Sequence, residues 1–368
     1  MPPLRVAVVG TGAFGRNHLR VYRELEAAQP QLVQLVALVD PLTERRSSFA
    51  STYNIPAFAS VAELLAANLS PDAASICVPT SHHASVAEEL LPAGIDVLIE
   101  KPFAATLAQA DHILAISQAH DRIVAIGHLE RFNPAVTATL AALNHPMFFE
   151  SHRLSVFTPR SLDVDVVLDL MIHDLDIVLS LTNSPVREVR AVGLPILSHK
   201  TDIANVRVEF DSGCVANFTA SRVSTEQVRK LRLFQPHQYL SLDFARQELL
   251  TISVDPAVVA AAIAAASAKT PATGSSPLPV PTAAAPTPIP TTPPSSSAHG
   301  EHPTAGLSLT KADIPKGEPL RLELEDFLNA VRTRTQPRVP AQAGREALAL
   351  ALSINDQIAA HAHRAGLL

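Results

Sequence analysis

The chain opens on a short apolar run, residues 4–9, that stops at Gly10-Thr11-Gly12-Ala13-Phe14-Gly15 and gives way to helical periodicity from about residue 16 to 26. An apolar run of that length bounded by glycine reads as a buried strand. The figure then repeats. Strands are predicted over 32–39, 74–78, 97–100 and 123–126, and helices over 61–68, 84–91 and 107–120. Alternating strands and helices predict a doubly wound parallel sheet that is complete near Gly127. Beyond it the pattern changes. A helix over 135–143 and a strand around 148–155 lead to alternating or apolar runs at 186–192, 205–210, 214–221, 230–235, 240–244 and 248–253. Turn residues separate them, notably Asp211-Ser212-Gly213, so they predict an open, mostly antiparallel sheet with one face free for another subunit.

The periodicity ends at Asp255-Pro256, which reads as an N-cap and first helical residue for an alanine-rich run to about residue 269. Ten prolines then fall between Pro271 and Pro303, among serine, threonine and alanine and with almost no charge. Such a segment has too little apolar surface to order itself, so residues 270–311 are predicted to be a disordered, activity-neutral insertion. Order returns in two amphipathic helices, 319–334 and 344–363. The predicted fold class is α/β: a Rossmann domain over 1–127 and an α/β domain over 128–368 built on the open sheet.

Composition narrows the partners. The 368 residues are 47% apolar and 17% charged, with a formal net charge of -6, which supplies no general attraction to nucleic acid or to an anionic membrane surface. Cys77 and Cys214 lie far apart and lack metal-type spacing, as in a reducing cytosol. The few residues before Gly10 are too short for a signal peptide, and no apolar stretch has the length of a membrane span. The expectation is a cytoplasmic protein.

Candidate chemistry gathers at strand ends. Gly10 permits the tight turn after the first strand, Gly12 lets backbone approach a pyrophosphate, and Gly15 lets the helix pack on the strand. Ala13 and Phe14 complete that loop. Asp40, ending the second strand, suits the adenosine ribose hydroxyls and disfavours a 2′-phosphate, so NAD is expected over NADP; Arg45 and Arg46 follow it, and the bland reading is a helix cap. Pro79, Thr80 and His83 stand at another strand end on the cofactor side, although either Thr80 or His83 would serve equally as a satisfied loop residue. Glu100-Lys101-Pro102 ends the most apolar strand, placing a lysine where such sheets bind ligands and where it can polarise a hydroxyl.

Two polar clusters follow. In the 128–134 crossing, Arg131 and Asn133 suit a substrate's hydroxyls or phosphates, or equally a brace between domains. Over 166–179, Asp169, His173 and Asp176 fall at i, i+4 and i+7 on a helix, so a carboxylate lies one turn from an imidazole that it would orient as a general base. A packed core histidine satisfied by Asp169 is the alternative. No second cluster completes a metal site, so no metal is expected.

With the glycine loop, Glu100-Lys101-Pro102 and the 169–176 segment together, the chain resembles the Gfo/Idh/MocA family of nicotinamide-dependent oxidoreductases over nearly its whole length outside the proline-rich segment. The resemblance implies a Rossmann domain, a second α/β domain whose sheet builds homo-oligomers, and Lys101, Asp169 and His173 as catalytic lysine, aspartate and histidine. It implies a histidine that takes the hydroxyl proton while hydride passes to the nicotinamide. The 127–134 and 168–174 segments look most like the branch acting on the 3-hydroxyl of UDP-N-acetylglucosamine in amino-sugar and lipid A synthesis. An inositol or free-sugar dehydrogenase, and a cofactor-binding sensor without turnover, are the alternatives.

Overall fold

In the computed structural model, residues 2–158, 164–255 and 307–366 are described, with 257, 258, 260, 261 and 264 between them. The first strand-helix alternation forms β1 (Leu4–Val9), α1 (Gly15–Ala28), β2 (Val33–Val39), α2 (Thr43–Tyr53), β3 (Ala57–Phe58), α3 (Val61–Ala66) and β4 (Ala73–Ile76). It continues through α4 (His83–Leu90), β5 (Asp96–Glu100), α5 (Leu107–Ala119) and β6 (Val124–Gly127). All six strands are parallel, in the order β3-β2-β1-β4-β5-β6. The order reverses between β1 and β4, which opens a crevice at their carboxyl ends. The strands are almost wholly buried, as expected of a sheet covered on both faces. Neither α2 nor β3 was predicted, because α2 buries none of its residues and so carries no apolar stripe, and β3 is two residues long.

After a 3-10 turn over Leu129–Phe132, the second layer begins with α6 (Pro134–Ala141), β7 (Phe148–Val156) and a π turn, Val167–Met171, that runs directly into α7 (Ile172–Thr182). The strands β8 (Val186–Leu194), β9 (Ile203–Phe210), β10 (Val215–Ser224), β11 (Val228–Gln235), β12 (Gln238–Asp243), β13 (Glu248–Val254) and β14 (Leu307–Lys311) follow. Their order is β14-β13-β12-β11-β7-β10-β9-β8, antiparallel except for the parallel pair β7 and β10. One face buries Phe149, Val206, Val208, Phe218, Leu231 and Leu240 against α7.

Two expectations change here. β14 pairs with β13 from Leu250 with Lys311 to Val254 with Leu307, so the end of the segment read as a disordered insertion is an edge strand. All five of its residues are exposed, so its Leu-Ser-Leu-Thr-Lys alternation is not backed by a buried face. The proline-rich stretch itself, and the body of the alanine-rich helix, lie outside the described residues. At its start, the Asp255 carboxylate accepts from the Ala257 N–H at 2.9 Å, as an N-cap does.

The second change concerns α8 (Pro319–Thr333), assigned from sequence to the second domain. Its stripe of Leu320, Leu324, Phe327, Leu328 and Val331 packs instead with Val6, Val8, Leu19 and Leu25 against the first sheet. The apolar spacing of a helix tells which face is buried but not against which core. The last helix, α9 (Ala341–Arg364), bridges both: Leu348 joins the first core while Ala351, Ile354 and Ile358 join the second. Gly344 makes the approach possible, because a Cβ there would stand 2.6 Å from Ile126 Cγ1.

Candidate active site between the two sheets

The crevice at β1 and β4 is shaped for an elongated anion. Gly10 adopts φ +87°, and a Cβ on it would come within 2.8 Å of the Cys77 and Val78 backbone. A Cβ on Gly15 would stand 1.8 Å from the Gly10 carbonyl oxygen, so α1 can begin this close to the strand only with glycine. Gly12 differs, since its Cβ would meet nothing nearer than the Arg45 guanidinium at 3.9 Å. The loop therefore leaves open room beside Gly12 at the amino end of a 14-residue helix, the arrangement that accepts a pyrophosphate. Ala13 and Phe14 line its exposed rim, with the Phe14 ring 5.6 Å from that of His18. A nicotinamide dinucleotide fits this cradle.

Asp40, at the end of β2, is buried and points back at the loop. Its Oδ2 accepts from the Thr11 N–H at 2.9 Å and hydroxyl at 2.6 Å, and its Oδ1 accepts from the Leu42 N–H at 2.9 Å. Burial works against the ionised form, but these hydrogen bonds and Arg45 hold its pKa below the usual carboxylate value. Asp40 thus fixes the loop and starts the next turn, whatever else it holds. Pro79 and Thr80 stand at the open end of β4 as expected.

Three predicted site residues turn inward instead. The Glu100 Oε1 lies 2.9 Å from His18 Nε2, pinning α1 beneath the sheet, and its carboxyl group fills the space a Cβ on Gly127 would need. His83 is buried, with Nε2 3.0 Å from the Val78 carbonyl and Nδ1 3.1 Å from that of Pro102, so it staples the loops after β4 and β5 together. Asn133 donates to Glu130 Oε2 and to the Phe244 carbonyl and accepts from the Ala135 N–H, which makes it a brace between the layers rather than a hand for substrate. Residue type at a strand end does not tell which way the side chain points. Arg131 takes an intermediate place, partly exposed, with Nη1 3.3 Å from the Asp176 carbonyl and 3.5 Å from its Oδ1.

Lys101, Asp169 and His173 do come together, from β5 on one side and the π turn and α7 on the other. The Lys101–Pro102 peptide is cis. Lys101 Nζ donates to the Asp169 carbonyl at 2.7 Å and to its Oδ1 at 3.4 Å. Asp169 makes no hydrogen bond to His173, against the expectation that it would orient the imidazole. The π turn adds a residue to the helical turn between them, and the carboxylate faces the lysine. His173 meets His128 instead, their ring centroids 6.4 Å apart at 90°. Burial pushes the His173 imidazole well below its ordinary pKa, and Lys101, Arg153, His128 and Arg229 push the same way. The ring is therefore neutral near pH 7, the form that can take a proton.

A buried ion network beneath the site escaped the sequence reading. Arg153, on β7, reaches both oxygens of Asp174 at 3.0 and 2.7 Å and Glu130 Oε1 at 3.1 Å, while the Ser151 hydroxyl donates to Asp174 at 2.8 Å. The strand alternation held the signal, since Arg153 shares the inward face with Phe149 and Ser151. Among the described residues, no group of three or more His, Cys, Asp and Glu could hold a metal ion, and no helix is long and apolar enough to cross a membrane.

Stability should respond to acid through these rings. Burial depresses the pKa of His83, His128 and His173 alike. Below about pH 6.5 the unfolded chain binds protons at these positions and the folded chain does not, so stability is lost as pH falls toward each depressed value. Glu323, buried on α8 with its pKa raised by that burial, opposes this as one group against three. Urea unfolding at pH 7.5, 6.5 and 5.5 should show stability falling between the last two by up to about 1.4 kcal/mol per unit for each ring. A flat profile would overturn the assignment of neutral buried rings.

Residues 4–128 match an oxidoreductase family with an NAD-binding Rossmann fold, and residues 136–235 match the GFO/IDH/MocA C-terminal domain. The chain is 34% identical over 362 residues to the UDP-N-acetylglucosamine 3-dehydrogenase of Acidithiobacillus ferrooxidans, covering 98% of this chain and 99% of that one. A solved structure of that enzyme superposes with a TM-score of 0.79. The inositol 2-dehydrogenase of Acidothermus cellulolyticus is 28% identical over 196 residues, 51% of this chain and 56% of that one.

Proposed function

Because the chain belongs to the Gfo/Idh/MocA family of NAD-binding oxidoreductases, we propose that it oxidises the 3-hydroxyl of UDP-N-acetylglucosamine to a ketone. The observation that carries this reading is likeness to a UDP-N-acetylglucosamine 3-dehydrogenase along essentially the whole of both chains, where the inositol enzyme matches about half.

On this reading Gly10, Gly12, Ala13, Phe14 and Gly15 hold the pyrophosphate of NAD, and Asp40 stands by the adenosine ribose, with Pro79 and Thr80 along the same crevice. The bound nicotinamide supplies the hydride acceptor. Lys101 places its ammonium at the reacting hydroxyl and lowers its proton affinity, while Asp169 fixes the lysine through two contacts. Neutral His173 takes the hydroxyl proton. Arg131 is the cation for the diphosphate at the domain crossing. NAD is preferred over NADP because Asp40 sets a negative charge where a 2′-phosphate would lie. The outer face of the second sheet seats a second copy of the chain; Phe148, Phe234 and Tyr239 form a ring cluster there, with centroids 5.5 and 4.9 Å apart, beside exposed Met147.

NADH absorbance, followed with purified protein and NAD, tests the substrate. UDP-N-acetylglucosamine, myo-inositol and glucose are compared, with hydroxylamine present to trap the ketone. Signal with the nucleotide sugar alone is the expected result. Signal only with a free polyol would move the substrate while leaving the catalytic residues, and no signal with bound NAD would favour a sensor.

A further inference from the structure

His128 follows β6 in the crossing between the layers and is buried, with neither ring nitrogen hydrogen-bonded. It has orphaned neighbours. On α7, His173 Nδ1 and Asp176 Oδ2 are also buried and without a partner. Buried polar atoms are rarely left this way unless ordered water joins them. The groups that bear on His128 are Asp176, Arg131, Lys101 and Glu100, and those that bear on His173 are Lys101, Arg153, His128 and Arg229. His128 therefore lies near both Asp176 and His173. At a centroid separation of 6.4 Å the two rings do not bond directly, and nitrogens on facing edges of rings so placed come within reach of one bridging water.

We propose that His128 is a positioning residue for His173: it and Asp176 hold a buried water that accepts the His173 Nδ1–H, fixing the tautomer whose free nitrogen is Nε2. A general base needs its acceptor nitrogen toward the hydroxyl and its proton on the other, and the atom bonded to that other nitrogen sets which is which. In many sites a carboxylate does this directly. Here Asp169, the carboxylate one turn away, is engaged by Lys101. The task falls to the residues behind the ring. This rests on the reading of His173 as the base.

The test reads the tautomer without turnover. Histidine-labelled apoprotein is examined by 15N NMR as wild type, His128→Phe and His128→Gln, with signals assigned through His173→Asn. Wild type should show His173 protonated at Nδ1. His128→Phe should mix the two tautomers and lower kcat at least tenfold with KM for NAD unchanged, and His128→Gln, which keeps a polar atom for the water, should restore part of both. A wild-type ring protonated at Nε2, or an unchanged tautomer and kcat in His128→Phe, would overturn the proposal. Should His128→Phe fail to fold, His128→Gln and the wild-type tautomer decide the matter. Full turnover in His173→Asn would instead remove the base assignment, and the proposal with it, whatever the tautomer.

Discussion

His173→Ala is expected to lower kcat by about 10²- to 10⁴-fold, the usual contribution of a positioned general base, while NAD binds as before. The separation of the two effects follows from the architecture. His173 enters from α7 in the second layer, whereas the glycine cradle and Asp40 belong to the first sheet. Removing the imidazole leaves Lys101 on Asp169, so the ammonium remains to polarise the hydroxyl and some turnover persists. Raising pH should recover part of the loss, because hydroxide then replaces the missing acceptor. Measurement of kcat for the variant with UDP-N-acetylglucosamine, beside NAD affinity by calorimetry, checks both halves. Unchanged kcat would remove His173 from the chemistry, and lost NAD affinity would show that the ring supports the fold of the crevice.

Arg153→Leu should destabilise the protein by about 3–5 kcal/mol, the cost of removing one partner from a buried charge cluster. Arg153 is 3% exposed and Asp174 2%, and the guanidinium answers two carboxylates at once. Leucine matches its stem but leaves Asp174 and Glu130 facing each other out of water. The carboxylates would then take up protons or draw in solvent. Because Arg153 is also one of the charges that lower the His173 pKa, its loss should raise that pKa and move the acid limb of the rate profile upward. Urea unfolding at pH 7.5 measures the first effect, and a loss below about 1 kcal/mol would mean that the cluster is solvated in solution. The effect differs from that of exposed pairs such as Arg190 with Glu188, which contribute little.

Much of this was legible in the residues, and the failures share causes. The apolar runs of the parallel sheet announced themselves because both faces are covered, and the glycine loop stood in its confirming context between a strand and a helix. Lys101, Asp169 and His173 were singled out at a strand end and on a helix, and they meet in the cleft. What sequence withholds is direction. Glu100, His83 and Asn133 have the right types in the right loops, yet each faces the interior, where its partners come from residues far along the chain. Helical spacing put Asp169 beside His173, but Asp169 lies within a π turn that the apolar pattern does not announce. His128 stood in a segment noted for its polar density and was passed over for Arg131, because an unpartnered nitrogen is a property of surroundings rather than of type.

The return of α8 to the first sheet bears on how the molecule comes into being. Leu324, Phe327 and Leu328 close a core whose other walls are strands made about 200 to 320 residues earlier, so the first sheet leaves the ribosome with one flank bare and stays so until α8 is made. During that interval the exposed apolar flank is open to misassociation and to chaperones. The long segment ahead of α8 adds little to the entropy of closing this loop, since doubling a loop costs only about 0.6 kcal/mol. A change in its length therefore costs little, whereas loss of α8 would uncover the first core.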